Sequence, residues 1–234
     1  PGVLEFTAWL RYGGGQELKD RIYGDHGLIS LQCLITAPET AGWFRTKVTR
    51  VEELKGIKMR FFGLGAMVMS KLGVSTQLIA GGDIFPALEK GVIDATEFAM
   101  PTMDLGYGFY QVAKYNYFPG WHQQSTASEL LMNKAKWDKL SKLAQSLIRT
   151  TCNDAYLWSA VKSDADQFEA MAELESKGVT FVVWEDSELE KFKIAWEEVV
   201  EEKSAEDPLF KEVYASYSTF RKNYAIWGDS AYLK

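Results

Sequence analysis

The chain has 234 residues, 47% of them apolar and 14% aromatic, enough to bury one sizeable core or two smaller ones. Its formal charge of -6, with Lys and Arg scattered rather than clustered, leaves no basic stripe for a phosphate backbone and argues against nucleic acid as a partner. No apolar run approaches the ~18 residues of a membrane span, so the chain is not read as membrane-spanning.

In chain order, Tyr12 and Gly13-Gly14-Gly15 interrupt the sequence ahead of a helix predicted from Gln16 to Tyr23, and the apolar run Leu28 to Thr36 reads as a strand. Thr49 and Glu52 have capping-box spacing and Gly56 stands where a closing glycine belongs, which predicts a short helix over "TRVEELKG". In "IKMRFF", strand alternation puts Ile57, Met59 and Phe61 on one face and Lys58, Arg60 and Phe62 on the other. Leu64, Met67, Val68 and Leu72 fit one helical face, "STQLIA" reads as a strand, Asp83 is predicted to cap the helix "IFPALEKG", and "VIDATEF" reads as a further strand. That is a βαβαβ run. It predicts a parallel sheet whose ligands lie beyond the carboxyl ends of its strands, with Arg60 and Glu97 near one mouth.

"VAKYNYFPGWHQQ" follows as an aromatic strand and turn, then "STASELLMN" as a strand. From Lys134 to Lys177 there is neither Gly nor Pro, which predicts one helix of ~30 residues or more bridging two lobes. "VTFVVWE" reads as the last strand, followed by an acidic helix from Ser187 to Ala205 and an aromatic-rich helix past Asp207-Pro208.

Gly63 and Gly65 follow a strand and precede a helix, as in a dinucleotide loop, but Val68 stands where the third glycine belongs. The chain carries no GxSxG, no HExxH and no Cys-His pair of family spacing; no catalytic residue is assigned and the chain is not read as an enzyme. His122 stands alone in an aromatic turn, and Cys33 and Cys152, without CxxC spacing, read as small buried hydrophobes. Arg60 is either an ion-paired strand residue or a bidentate grip for a carboxylate. Glu39, Glu97 and Gln123 offer oxygens suited to a hard cation such as Na⁺ or Ca²⁺. Trp9, Tyr12, Trp43, Phe62, Phe98 and Trp121 supply aromatic walls near the expected mouth, most of them as core.

The ordered segments "YGGGQEL", "TAPETAGWFR", "VEELKGIKMRFFGLG", "GGDIFPALEKGVIDATEF", "FYQVAKYNYFPGWH" and "DPLFKEVYASY" closely resemble the substrate-binding proteins of tripartite ATP-independent periplasmic (TRAP) transporters. The likeness is to the DctP-type branch of 2-oxo acid binders and their mannitol or chloroaromatic relatives. It implies an α/β, two-lobed type II periplasmic-binding fold and a periplasmic protein that delivers a small carboxylate to membrane permease subunits. It also implies that Arg60 grips the carboxylate, with Tyr12, Phe62, Phe98 and Trp121 around the ligand. A cation, Na⁺ or Ca²⁺, would be held by Glu39, Glu97, the main-chain oxygen of Phe98 and Gln123; no other cofactor is required.

Three of those positions depart from the branch. Phe98 stands where it usually has Trp, Glu39 where it has Gln, and Gln123 where it often has Glu, so a carboxylate has moved across the site at constant charge. The resemblance further implies that the first part of lobe one is missing from this chain. Residues 1–37 are then a remnant of lobe one, 38–124 lobe two, and 125–165 lobe one with the connecting helix. Residues 166–205 complete that helix and add a lobe-two strand and helix, and 206–234 form a C-terminal helix. A bare apolar face or that final helix is expected to support a homodimer. Two competing readings stand beside this one: a nucleotide-dependent enzyme using the Gly63-Gly65 turn, and a ligand-sensing module.

Overall fold

A computed structural model describes residues 2–231 as a mixed α/β chain in two units. The first takes in the residues up to Ala37, Ser125–Asp164 and those from Lys203 on; the second takes in Pro38–Gln124 and Ala165–Glu202.

In the first unit, α1 (Val3–Tyr12) and α2 (Gly15–Gly24) precede β1 (Leu28–Thr36), which lies antiparallel to β7 (Thr126–Asn133) in a two-stranded sheet. The short α6 (Lys134–Trp137) and the long α7 (Lys142–Ala165) follow β7, and α10 (Pro208–Ala231) closes the chain. α1 has no counterpart among the predicted elements, yet it buries Trp9 and Leu10, and the Trp9 indole N–H donates to Ser216 Oγ of α10 at 3.2 Å. The core is small: Leu31, Trp137 and Cys152 are buried, with Ile29, Cys33, Met132, Leu140 and Ile148 packed against them. Cys33 and Cys152 are not separate small hydrophobes but a disulfide joining β1 to α7, a pairing of residues 119 positions apart that local spacing does not reveal.

The second unit holds a six-stranded sheet in the order β4-β3-β5-β2-β6-β8. Its strands are β2 (Gly42–Phe44), β3 (Lys58–Arg60), β4 (Ser75–Gln77), β5 (Ala95–Thr96), β6 (Tyr115–Phe118) and β8 (Thr180–Val183). β3 runs parallel to both β4 and β5, as the βαβαβ pattern requires, with α3 (Gly63–Lys71) and α4 (Gly81–Glu89) as the crossovers. β2 enters antiparallel between β5 and β6. α5 (Pro101–Tyr107), α8 (Gln167–Ser176) and most of α9 (Asp186–Glu206) complete the unit. One buried cluster runs through Phe44, Leu54, Met59, Phe61, Tyr117 and Phe192, another through Trp43, Ile84, Leu88, Phe109 and Leu174.

Three local expectations change. The helix of ~30 residues or more expected within the Gly- and Pro-free stretch is cut short: Ser141 Oγ takes the Ala144 N–H at 3.1 Å at the start of α7, and the chain turns at Asp166, where α8 begins as a separate helix. That break lets α8 bury Ala170 and Leu174 in the second unit, so packing overrides an unbroken helical composition. The box at Thr49 closes on Glu53, not Glu52: Glu53 Oε2 accepts the Thr49 N–H at 2.8 Å, and only a 3₁₀ turn, Val51–Leu54, forms. Asp83 lies inside the first turn of α4, whose N-cap is Ala80.

Candidate ligand and cation site

Arg60 ends β3 with only 8% of its side chain exposed, although a lone arginine of a three-residue strand could equally reach solvent. Its Nη1 donates to the Glu97 main-chain oxygen at 2.5 Å and to Glu97 Oε2 at 2.9 Å, and its Nε donates to the Ile79 carbonyl at 3.3 Å. The Phe62 and Phe98 rings flank the guanidinium at 5.1 and 5.4 Å. A guanidinium carries five N–H groups, so these bonds leave the two on Nη2. The arginine is therefore both ion-paired and available: the expected grip narrows from the whole fork to its Nη2 end.

Glu97 is 1% exposed and faces two ways. Oε2 serves Arg60, while Oε1 is buried, makes no hydrogen bond, and lies 3.6 Å from His122 Nε2. On the other side of that nitrogen, at 3.4 Å, is Glu39 Oε2. One donor atom from each of Glu39, Glu97 and His122 falls within 4.8 Å of the others, and all three side chains are 93% or more buried. Gln123 does not stand opposite Glu39 but beside it, its Nε2 donating to Glu39 Oε1 at 2.8 Å while the Glu39 N–H donates to the Gln123 carbonyl at 3.1 Å.

The local sequence explains this convergence. Gly120 lies so close to the Glu39 backbone that a Cβ there would stand 2.1 Å from the Glu39 carbonyl oxygen, so only glycine lets the 119–123 turn reach the segment carrying Glu39. Gly63, at φ +60°, starts α3 in the left-handed region directly after the strand. Gly65 serves packing: a Cβ there would meet Phe61 Cε1 at 2.3 Å. Phe61 in turn contacts His122 and Trp121 edge-on or tilted, at 5.0 and 5.9 Å between ring centres, and Trp121 stacks on Phe192 at 4.7 Å. The space over the second glycine is thus filled by an aromatic ring, not open to a pyrophosphate, which removes the nucleotide reading of this turn.

Burial raises the Glu97 pKa above the usual carboxylate range, with Glu39 adding to the rise while His122 and Arg60 oppose it. Burial pulls His122 down, but the carboxylates of Glu39 and Glu97 close to its Nε2 outweigh it and raise the imidazole's pKa overall. Asp104 of α5 is fully buried and accepts the Trp43 indole N–H at 2.7 Å on Oδ2. Burial holds its pKa well above the usual carboxylate range, opposed by the Trp43 hydrogen bond and reinforced by the charges of Glu97 and Glu39.

The second unit therefore brings together Arg60, Glu97, Phe98, Phe62, Glu39 and Gln123, with Trp121 behind His122. Tyr12 belongs to the first unit and is 88% exposed at the end of α1. Sequence reasoning passed over His122, for which the only signal was its adjacency to Gln123, and over Asp104 and Trp43, which nothing in the sequence links. As for a cation, the donor set fits one: a buried carboxylate oxygen without a hydrogen bond and an imidazole nitrogen share one small space with a second carboxylate.

Residues 16–207 match the family model for bacterial extracellular solute-binding protein, family 7, the DctP family. A monocarboxylate 2-oxoacid-binding periplasmic protein of Nostoc is 34% identical over 220 residues, 94% of this chain and 60% of its own length. Among solved structures, a TRAP transporter solute-binding protein from Bordetella bronchiseptica, a mixed-occupancy dimer with copurified calcium and picolinate, superposes with a TM-score of 0.93 at 31% identity over 98% of this chain and 69% of its own. One from Pseudoalteromonas atlantica with bound sodium and pyruvate gives 0.92 at 29%, over 99% and 70%. The chain thus spans 60% of the Nostoc relative, and it belongs to the DctP family of solute-binding proteins, with their α/β fold.

Proposed function

We propose, from that membership, that the protein is the periplasmic solute-binding component of a TRAP transporter, capturing a small 2-oxo or hydroxy monocarboxylate and presenting it to membrane permease subunits without catalysis. The observation that carries this reading is Arg60, a buried cation fixed by Glu97 and Ile79 that still holds two free N–H groups between two aromatic rings. A carboxylate accepting from Nη2 makes charge-assisted hydrogen bonds in a low-dielectric setting. Phe62 and Phe98 wall the ligand, and Phe98, smaller than the Trp of related binders, leaves room for a bulkier acid. Trp121 packs on Phe61, His122 and Phe192 behind the cation position.

A cation bridges ligand and protein in this reading, held by Glu39, Glu97, the Phe98 carbonyl and Gln123. Support comes from the relatives just described, which carry calcium or sodium beside picolinate or pyruvate. A homodimer is part of the proposal, consistent with the dimer of the Bordetella protein.

Titration calorimetry with pyruvate, lactate and larger 2-oxo and aromatic acids, with and without Na⁺ or Ca²⁺, tests it. One-to-one binding is expected, and Arg60→Lys, which keeps the charge but loses the planar fork, should weaken it by at least about 30-fold. Unchanged affinity in Arg60→Lys and Arg60→Ala alike would overturn the assignment.

A further inference from the structure

The relatives described above hold calcium or sodium, hard ions that take oxygen ligands. The group of donors in this chain is different in kind, because its geometric centre includes a nitrogen. His122 Nε2 lies between Glu39 Oε2 and Glu97 Oε1 at 3.4 and 3.6 Å. Ligands bound to one tetrahedral ion at ~2.0–2.2 Å stand roughly 3.3–3.6 Å from each other, so the two edges that meet at the imidazole nitrogen already have the lengths of a coordination polyhedron of that size, with one donor atom from each of the three residues within 4.8 Å of the others. Calcium, at ~2.3–2.6 Å, spreads its ligands further and asks for six to eight oxygens. The imidazole is also held in place. The Phe61 and Trp121 rings meet it at 5.0 and 5.3 Å between centres, at 74° and 65°, and the ring is 93% buried, so it cannot readily swing away to leave an all-oxygen shell.

We propose that the cation position takes a divalent ion of borderline hardness, of the zinc or cobalt class, with His122 Nε2 as a ligand beside one oxygen each from Glu39 and Glu97. The inference rests on the reading of a cation at Glu39 and Glu97 but puts His122 in place of the Phe98 carbonyl and Gln123 as the further protein donor and, through it, changes the class of ion. Imidazole has real affinity for such ions and little for sodium or calcium, whereas carboxylates serve all of them. Two carboxylates and a neutral imidazole balance a divalent charge, and the remaining position is left for a ligand oxygen.

The protein contains only two histidines, which makes the test direct. Its metal-free form is titrated with Co²⁺, Zn²⁺, Ca²⁺ and Na⁺ by calorimetry, and the Co²⁺ form is read by visible absorption. The Zn²⁺ form is read by ¹⁵N NMR of the imidazoles, with His26→Gln to assign the signals. Co²⁺ and Zn²⁺ should bind one-to-one and at least about 100-fold more tightly than Ca²⁺, with the ¹⁵N shift on Nε2 of His122. His122→Asn should weaken Co²⁺ by at least about 30-fold while leaving Ca²⁺ within about twofold. Ca²⁺ binding without preference for Co²⁺ or Zn²⁺, or Co²⁺ bound with an unshifted His122 nitrogen in the wild-type protein, overturns the nitrogen ligand but not the cation site. If no cation binds, and Glu97→Gln changes nothing, the underlying reading fails as well. The NMR arm needs no variant at His122, so it stands even if His122→Asn does not fold.

Discussion

The two units are held together by different means. The first has a small buried cluster around Leu31, Trp137 and Cys152 with Trp9, Leu10, Ile35 and Tyr156 buried elsewhere, a two-stranded sheet and a disulfide, and along α7 it leaves Leu143, Leu147, Leu157, Trp158 and Val161 exposed. The second has a six-stranded sheet over two large apolar clusters and no covalent tie, and within it Glu39, Arg60, Glu97, Asp104 and His122 are almost wholly removed from solvent. A small core leaves little margin and gains most from a cross-link that limits the unfolded chain. A large core can carry several kcal/mol of desolvation in its charged groups and still fold. Charge is concentrated where apolar burial is greatest.

The largest expected effect separates the units most sharply. Replacing both cysteines by alanine opens a link across 119 residues and should cost up to ~4–5 kcal/mol by the chain-entropy estimate. Hydrogen exchange should report the loss in β1, β7 and α7, with β3 and β5 keeping their protection; equal loss in both units would break the contrast. Next in size, Arg60→Ala strands Glu97 beside His122 and should destabilise the protein by about 3 kcal/mol, seen in urea unfolding. That is a structural cost separate from lost ligand binding, and Arg60→Lys should recover much of it.

Asp104 gives a third handle. Its folded pKa is raised above the unfolded value near ~3.9, so its contribution is fully present below that pH and is lost as pH rises toward the folded pKa, at ~1.4 kcal/mol per pH unit. Asp104→Asn keeps an acceptor for the Trp43 indole and removes the titration. The variant should therefore be the more stable protein at neutral pH, with a flatter stability profile between pH 4 and 7; parallel profiles for both proteins would show that Asp104 is ionised. Smallest of all, Gly65→Ala should cost ~1–3 kcal/mol through the Phe61 ring and shift the His122 NMR signals, whereas Gly82→Ala, where a Cβ meets nothing within 4 Å, should do neither.

What the sequence made legible was local or periodic. The strand Leu28–Thr36 is recovered to the residue, and the parallel β4-β3-β5 core, with Arg60 and Glu97 at its mouth, follows from alternation and βαβαβ order. Hidden features depend on long-range closure. The 119-residue disulfide, the turn at Asp166 and the insertion of β2 between β5 and β6 are decided by packing that no window of residues contains. His122 was hidden for the same reason, since its partners at positions 39 and 97 come from two other segments.

Glu97 has one further consequence. Its two oxygens are committed to different neighbours, Oε2 to Arg60 at 2.9 Å and Oε1 toward His122 at 3.6 Å, within a single rigid carboxylate. Anything that draws negative charge toward one end takes it from the other, so in the proposed function an acid at the arginine end and a cation at the other are linked through one side chain. Such heterotropic coupling is reciprocal: the factor by which a cation tightens the acid is the factor by which the acid tightens the cation, typically ~1–3 kcal/mol. On the function proposed above, an acid and a cation bound in this way are captured together and released together, and the pair, not the acid alone, is then the cargo.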